Sequence, residues 1–133
     1  MSVFALGLNH TTAPLDLRGR FAFAPETLSP ALRGLQDQLR RATPEAALVS
    51  TCNRTELYVA ADQAPAPELV APTLGWLAGH GGVAPEHLER HTYVLEGRAA
   101  ARHRWRQRCR PRAPGAGVRI WMNCCDTSAI GLC

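Results

Sequence analysis

The 133-residue chain has no lysine, so all fifteen of its basic side chains are arginines. No apolar run approaches the ~18 residues a membrane-crossing helix needs, which excludes a span of that kind. The first residues, Met1 to His10, lack the basic start and long apolar stretch of a secretory signal. Both absences point to a cytoplasmic protein with no membrane partner, in which the five cysteines are expected as thiols. No two cysteines stand at C-x-x-C spacing. His80, His87 and His91 have no metal-ligand spacing with any cysteine, so no metal is expected. The chain also has no internal repeat.

What is present is ordinary in amount and unusual in distribution. A length of 133 residues with 46% hydrophobic and 20% charged side chains suits one soluble domain. The net charge of +4, however, is an average of two unlike parts. Residues 1–97 carry seven arginines and ten acids, a net of −3, whereas residues 98–133 carry eight arginines and only Asp126, a net of +7. Four of the five cysteines (Cys109, Cys124, Cys125, Cys133) also lie in the second part.

The first part alternates readable strands and helices. Residues 3–9 form a short apolar run, read as a strand, that ends in a polar turn over residues 10–14. From Pro25, the leucines 28, 32, 35 and 39 recur on one helical face, and Thr43-Pro44 stops that helix. The apolar runs 46–50 and 57–61 pair as a hairpin around a polar segment. A second helix starts at Glu68, with Leu69, Leu74 and Leu77 toward the core, and ends at Gly79 to Gly82. Pro85 to Arg90 is a short turn or helix, residues 91–95 a fourth strand, and Arg98 opens a last helix. The order βαββαβ predicts an α+β fold, a two-layer sandwich with helices on one face of an antiparallel sheet in the ferredoxin-like arrangement. After His103 neither periodicity persists. Residues 104–133 contain only four Leu, Ile, Val or Phe residues, so a truncated helix and an irregular, disordered tail are expected there.

The segment that carries chemistry is Ser50-Thr51-Cys52-Asn53-Arg54-Thr55-Glu56. It puts the one cysteine of residues 1–97 in a polar loop between strands. A thiolate is the reactive form of cysteine, and a neighbouring cation such as Arg54 lowers a thiol pKa. Arg54 could equally clamp a substrate carboxylate. Thr51, Asn53 and the loop amides could donate to a developing oxyanion. The pattern suits covalent catalysis at an acyl carbon. Each residue also has a plainer reading: Cys52 as a small buried apolar side chain, Arg54 as a surface ion pair with Glu56, His10 as a turn residue at the end of the first strand, and His103 as a solvated helix position.

Three stretches bear a resemblance to the glutamyl-tRNA reductase family: Gly7-Leu8-Asn9-His10-Thr11-Thr12-Ala13-Pro14, Ser50 to Tyr58, and Ala99-Ala100-Ala101-Arg102-His103. The resemblance covers residues 1–103 and implies the first step of tetrapyrrole synthesis from glutamate. It implies that Cys52 attacks the ester joining glutamate to its tRNA, that tRNA leaves, and that NADPH reduces the resulting thioester to glutamate 1-semialdehyde. It further implies that Thr51, Cys52, Asn53 and Arg54 bind substrate, with His10 beside them, and that His103 is the family's activity histidine. The partners it implies are glutamyl-tRNA, a second copy of the chain in the family's homodimer, and the aminotransferase that takes up glutamate 1-semialdehyde. No metal is implied.

Beyond position 103 the family's Gly-Leu-Asp-Ser and Gly-Glu-Pro-Gln segments find no counterpart, nor do its NADPH-binding and dimerisation domains. Residues 1–97 are thus read as the N-terminal catalytic domain, 98–103 as the start of a connecting helix, and 104–133 as an aberrant tail from a shifted reading frame. On that reading the chain alone is inactive as a reductase. Two other classes stand beside it, a non-catalytic RNA-binding α+β module and a redox-sensing thiol protein.

Overall fold

The computed structural model describes residues 2–42, 45–51, 53–106 and 118–121, without the side chains of residues 25, 41, 104–106 and 118–121. Cys52 and most of the tail therefore lie outside the described residues.

Strands β1 (Ser2–Asn9), β2 (Glu45–Ser50), β3 (Arg54–Ala61) and β4 (Tyr93–Glu96) form an antiparallel sheet in the order β4-β1-β3-β2. This is the split βαβ topology, in which β3 lies between β1 and β2 and the two central strands are β1 and β3. Helices α1 (Leu15–Arg20), α2 (Pro25–Gln38), α3 (Ala66–Gly81), α4 (Pro85–Glu89) and α5 (Arg98–Arg106) complete the described fold, with a 3-10 turn at Arg40–Ala42.

The main core is the one the leucine periodicity predicts. Leu28, Leu32 and Leu35 of α2, Leu39 at its C-terminal cap, and Leu69, Leu74 and Leu77 of α3 pack with Phe4, Leu6, Leu8, Leu48, Leu57 and Val59 from one face of the sheet. Each fully buried leucine of this set stabilises the fold by roughly 1.5–3 kcal/mol. Proline opens α2, α3 and α4 at the first or second helical position, where no backbone N–H is needed. Gly82 closes α3 in the left-handed conformation at φ 66°.

Several boundaries differ from the sequence reading. The hairpin is tighter: β3 starts at Arg54 rather than Leu57, and Ser50 pairs with Thr55. Polar residues enter the strand because their groups are satisfied inside. Thr55 Oγ1 donates to the Phe21 carbonyl at 2.7 Å, and Ser50 Oγ accepts from the Phe23 amide at 3.0 Å. Helix α1, with only Leu17 buried, is too short to show a period and was not expected. Helix α5 lies on the opposite face of the sheet from α2 and α3. There Ala100 packs with Ala5, Ala47, Val49 and Tyr58, small side chains that admit a helix close to the strands. Finally, β5 (Val118–Trp121) pairs parallel to β2 at the sheet edge, within the segment read as irregular. Four residues are too few for an alternating pattern to stand out there. The expected irregular tail otherwise lies outside the described residues.

Candidate active site on the α5 face of the sheet

Alternation along β3 divides its residues cleanly. Thr55, Leu57, Val59 and Ala61 face the main core, and Arg54, Glu56 and Tyr58 face the side that α5 covers. On that side the register places Tyr93, Gly7, Glu56 and Val49 in one row across four strands, with Asn9 opposite Arg54 in the next row.

Glu56 is the centre of this row. It is buried, 1% exposed, yet its carboxylate has three partners. Tyr58 Oη donates to Oε2 at 2.7 Å, Tyr93 Oη donates to Oε1, and His103 Nε2 lies 2.7 Å from Oε1. His103 reaches it from α5, and the Tyr93 ring stands edge-on to the imidazole at 5.8 Å. Burial opposes ionisation of Glu56, but hydrogen bonds from His103, Tyr93 and Tyr58 outweigh it, so its pKa is below the ordinary 4.5. The stability this contributes is present above pH 4.5 and is lost as the pH falls through the lowered pKa.

Gly7 makes the arrangement possible. A Cβ there would sit 2.8 Å from Glu56 Cγ, 2.9 Å from Tyr93 Oη and 3.0 Å from the Thr55 carbonyl. The missing side chain is the gap across which Tyr93 reaches from β4 to β3. Gly7→Ala is expected to push the tyrosine and the glutamate apart and to destabilise the chain by about 1–3 kcal/mol in urea unfolding. An unchanged unfolding midpoint would show that the row is looser than this.

The tyrosines offer a direct optical check. Tyr58 and Tyr93 are the only tyrosines in the chain. Burial, then the adjacent Glu56 carboxylate, raises both phenols well above their ordinary 10.0. The neutral phenols therefore favour the fold below pH 10.0, and that contribution is lost as the pH rises above it. Tyrosinate absorbance is expected to stay absent as the pH passes 10.0 and to appear only together with unfolding seen by circular dichroism. A reversible titration near 10.0 in the folded chain would place the phenols elsewhere.

The residues expected from sequence are brought together in part. Thr51 shapes the loop: its Oγ1 accepts from the amides of Asn53 and Arg54, each at 3.3 Å, and its own amide donates to the Arg54 carbonyl at 2.8 Å. Those two amides are thus already engaged, and among the described loop residues the exposed Asn53 side chain remains free to donate. Arg54 is half-buried on the Glu56 face, and among the described residues it has no ion pair. The expected alternative for it, a pair with Glu56, is not what forms, because Glu56 pairs with His103. His103 is accordingly no solvated helix position, being 27% exposed and tied to the buried carboxylate. His10 is exposed, one residue past β1, at the end of the sheet that carries the 51–53 loop. The turn holding it is fixed by Asn9, whose Oδ1 accepts from the Thr11 and Thr12 amides at 2.9 and 3.2 Å.

The sequence reading missed Glu56, Tyr58, Tyr93 and Gly7 as site residues. For Glu56 and Tyr58 the signal was their alternation with Leu57 and Val59, visible once β3 is started at Arg54; Gly7 and Tyr93 lie on other strands and gave none. Among the described residues, no three His, Cys, Asp or Glu side chains converge to hold a metal, and no helix is long and apolar enough to cross a membrane.

The family model for the N-terminal domain of glutamyl-tRNA(Glu) reductase matches residues 6–109. Glutamyl-tRNA reductase of Polaromonas sp. strain JS666 is 58% identical over 106 residues, covering 80% of this chain and 24% of that protein. The enzyme of Albidiferax ferrireducens is 57% identical over the same length, with the same shares. That of Alkalilimnicola ehrlichii is 46% identical over 103 residues, or 77% of this chain and 22% of its own. The chain spans about a quarter of the length of these relatives. With the family model covering most of the chain and reaching from β1 through α5, the chain belongs to the glutamyl-tRNA reductase family, whose N-terminal domain it carries.

Proposed function

We propose that this chain forms the acyl-transfer half of glutamyl-tRNA reduction, with Cys52 as nucleophile. The observation that carries the reading is the folding of the Ser50–Glu56 segment. It becomes a tight hairpin that sets Arg54 and Glu56 on the same sheet face as His103. In the proposed step the Cys52 thiolate sulfur bonds to the carbonyl carbon of the glutamyl ester. The bond from that carbon to the terminal ribose oxygen breaks, and the tRNA hydroxyl leaves with a proton, so that a glutamyl thioester remains. Arg54 holds the glutamate side-chain carboxylate, Thr51 and Asn53 shape and line the loop, and His103 takes the Cys52 thiol proton and passes it to the leaving oxygen.

NADPH, which the family implies, finds no pyrophosphate cradle at the first strand-to-helix turn. The turn from β1 into α1 is closed by Asn9 and Thr12 side chains and capped by Pro14. It has no glycine against which a pyrophosphate could lie. No reductive step is derived on this chain. The proposal assigns reduction, and the pairing of copies into a dimer, to the part of the relatives' length that this chain does not span.

The test is to mix the 133-residue chain with glutamyl-tRNA, quench in acid and map the product by mass. The expected result is one glutamyl group on the Cys52 peptide, released by hydroxylamine, with no NADPH consumed. A folded chain that acquires no adduct, or acquires it on a tail cysteine, overturns the reading.

A further inference from the structure

We infer that Glu56 is a positioning residue for His103: it fixes the imidazole as the Nε2–H tautomer and leaves Nδ1 as the nitrogen that exchanges protons at the reacting ester. The last clause rests on the reading of His103 given above; the first rests on the contact geometry and on the ionised state of Glu56.

An ionised carboxylate only accepts hydrogen bonds. With 2.7 Å between His103 Nε2 and Glu56 Oε1, the nitrogen must therefore carry the proton. The carboxylate itself cannot swing away. Tyr58 occupies Oε2, Tyr93 shares Oε1, and the strand row around Gly7 closes over its stem. The Tyr93 ring edge limits rotation of the imidazole. Among the described residues nothing bonds Nδ1, and the side chain as a whole is 27% exposed. The arrangement is a carboxylate–imidazole pair in which the buried partner sets the tautomer and the other nitrogen does the work. It also accounts for three features that the acyl-transfer reading leaves unused: the buried Tyr58 phenol, the half-buried Tyr93 phenol and the absence of a side chain at Gly7.

The test uses the whole 133-residue chain labelled with 15N-histidine. Two-bond proton–nitrogen spectra near neutral pH report the tautomer of each of the five histidines, and loss of one signal set in His103→Gln assigns that residue. The expected wild-type pattern is a protonated Nε2 and a bare Nδ1 at His103. In Glu56→Gln the amide can offer a donor as well as an acceptor, so a mixture of tautomers is expected. The rate of glutamyl adduct formation should fall roughly 10- to 100-fold with it. Tyr93→Phe, which leaves the Glu56–His103 contact in place, should keep the wild-type tautomer.

A bare Nε2 in the wild type overturns the inference, as does an unchanged His103 spectrum in a folded Glu56→Gln chain. If that variant does not fold, the wild-type and Tyr93→Phe spectra decide alone. A wild-type chain that shows the expected tautomer and yet forms no adduct leaves the positioning intact and overturns the acyl-transfer reading instead.

Discussion

Serine in place of Cys52 is expected to abolish the glutamyl adduct, lowering its rate of formation by roughly three orders of magnitude or more. The reason lies in the nucleophile. A thiol is partly ionised near neutral pH and becomes more so beside a cation, whereas a serine hydroxyl needs a base to remove its proton during attack. Arg54, two residues along, is a cation with no ion pair among the described residues. Its charge can assist a thiolate but cannot take a proton from a hydroxyl. The four cysteines of residues 98–133 serve as internal controls, since they persist in the variant and should remain unlabelled. The measurement is a single-turnover time course with glutamyl-tRNA, read by intact mass. Fold is monitored through the delayed tyrosine titration. Equal adduct in wild type and Cys52→Ser would end the proposal. Rapid peroxide oxidation of Cys52 with no reaction toward the ester would favour the redox-thiol reading in its place.

Much of the fold was legible because the core is built from repeated leucines. The spacing 28, 32, 35, 39 could only be one face of a helix, and every one of those residues is buried in the main core. The order of strands and helices then restricted the topology to a two-layer sandwich. What was not legible has physical causes too. The start of β3 was hidden because Arg54, Thr55 and Glu56 look like loop residues by polarity. Thr55 and Glu56 enter the strand because Phe21, Tyr93 and His103 supply partners from distant parts of the chain, with Tyr58 adding one from two residues along. No local pattern reports partners 34, 37 or 47 residues away. The side of the sheet chosen by α5 was hidden for a similar reason. It depends on the small residues Ala5 and Ala47 on the second face, which read as weak strand formers rather than as a seat for a helix.

Of the candidate site, Cys52 and Arg54 stood out in the sequence, and the groups around Glu56 did not. Motif residues stood out because Cys and Arg are chemically conspicuous. Glu56 belonged to the same motif, but its role depends on burial and on His103, neither of which spacing can show. The strand pairing joins all three motif stretches. Gly7 and Asn9 of the first lie opposite Glu56 and Arg54 of the second, and His103 of the third closes over them. Three separated segments thus make one surface, and each is uninformative about that surface alone.

Arg54→Ala is expected to lower the second-order rate of adduct formation by roughly 30- to 1,000-fold, corresponding to about 2–4 kcal/mol of lost recognition. A guanidinium offers a planar fork of donors that matches a carboxylate in two parallel hydrogen bonds, and partial burial strengthens such a pair relative to water. Because Arg54 makes no ion pair among the described residues, its removal should cost little stability, and the unfolding midpoint should move by less than about 1 kcal/mol. Arg54→Lys keeps the charge but loses the fork, so an intermediate rate is expected. The decisive comparison is between substrates. The wild type should favour a glutamyl over a glutaminyl ester, since the neutral amide cannot accept both hydrogen bonds. Arg54→Ala should lose most of that preference, because the discriminating charge is gone from the protein side. If the variant slows both esters equally and keeps the wild-type ratio, Arg54 acts on the thiolate of Cys52 or on loop shape, and the side-chain carboxylate is recognised elsewhere. If the ratio collapses while Cys52 still reacts with a small neutral electrophile at the wild-type rate, Arg54 is the specificity determinant of the acyl-transfer step.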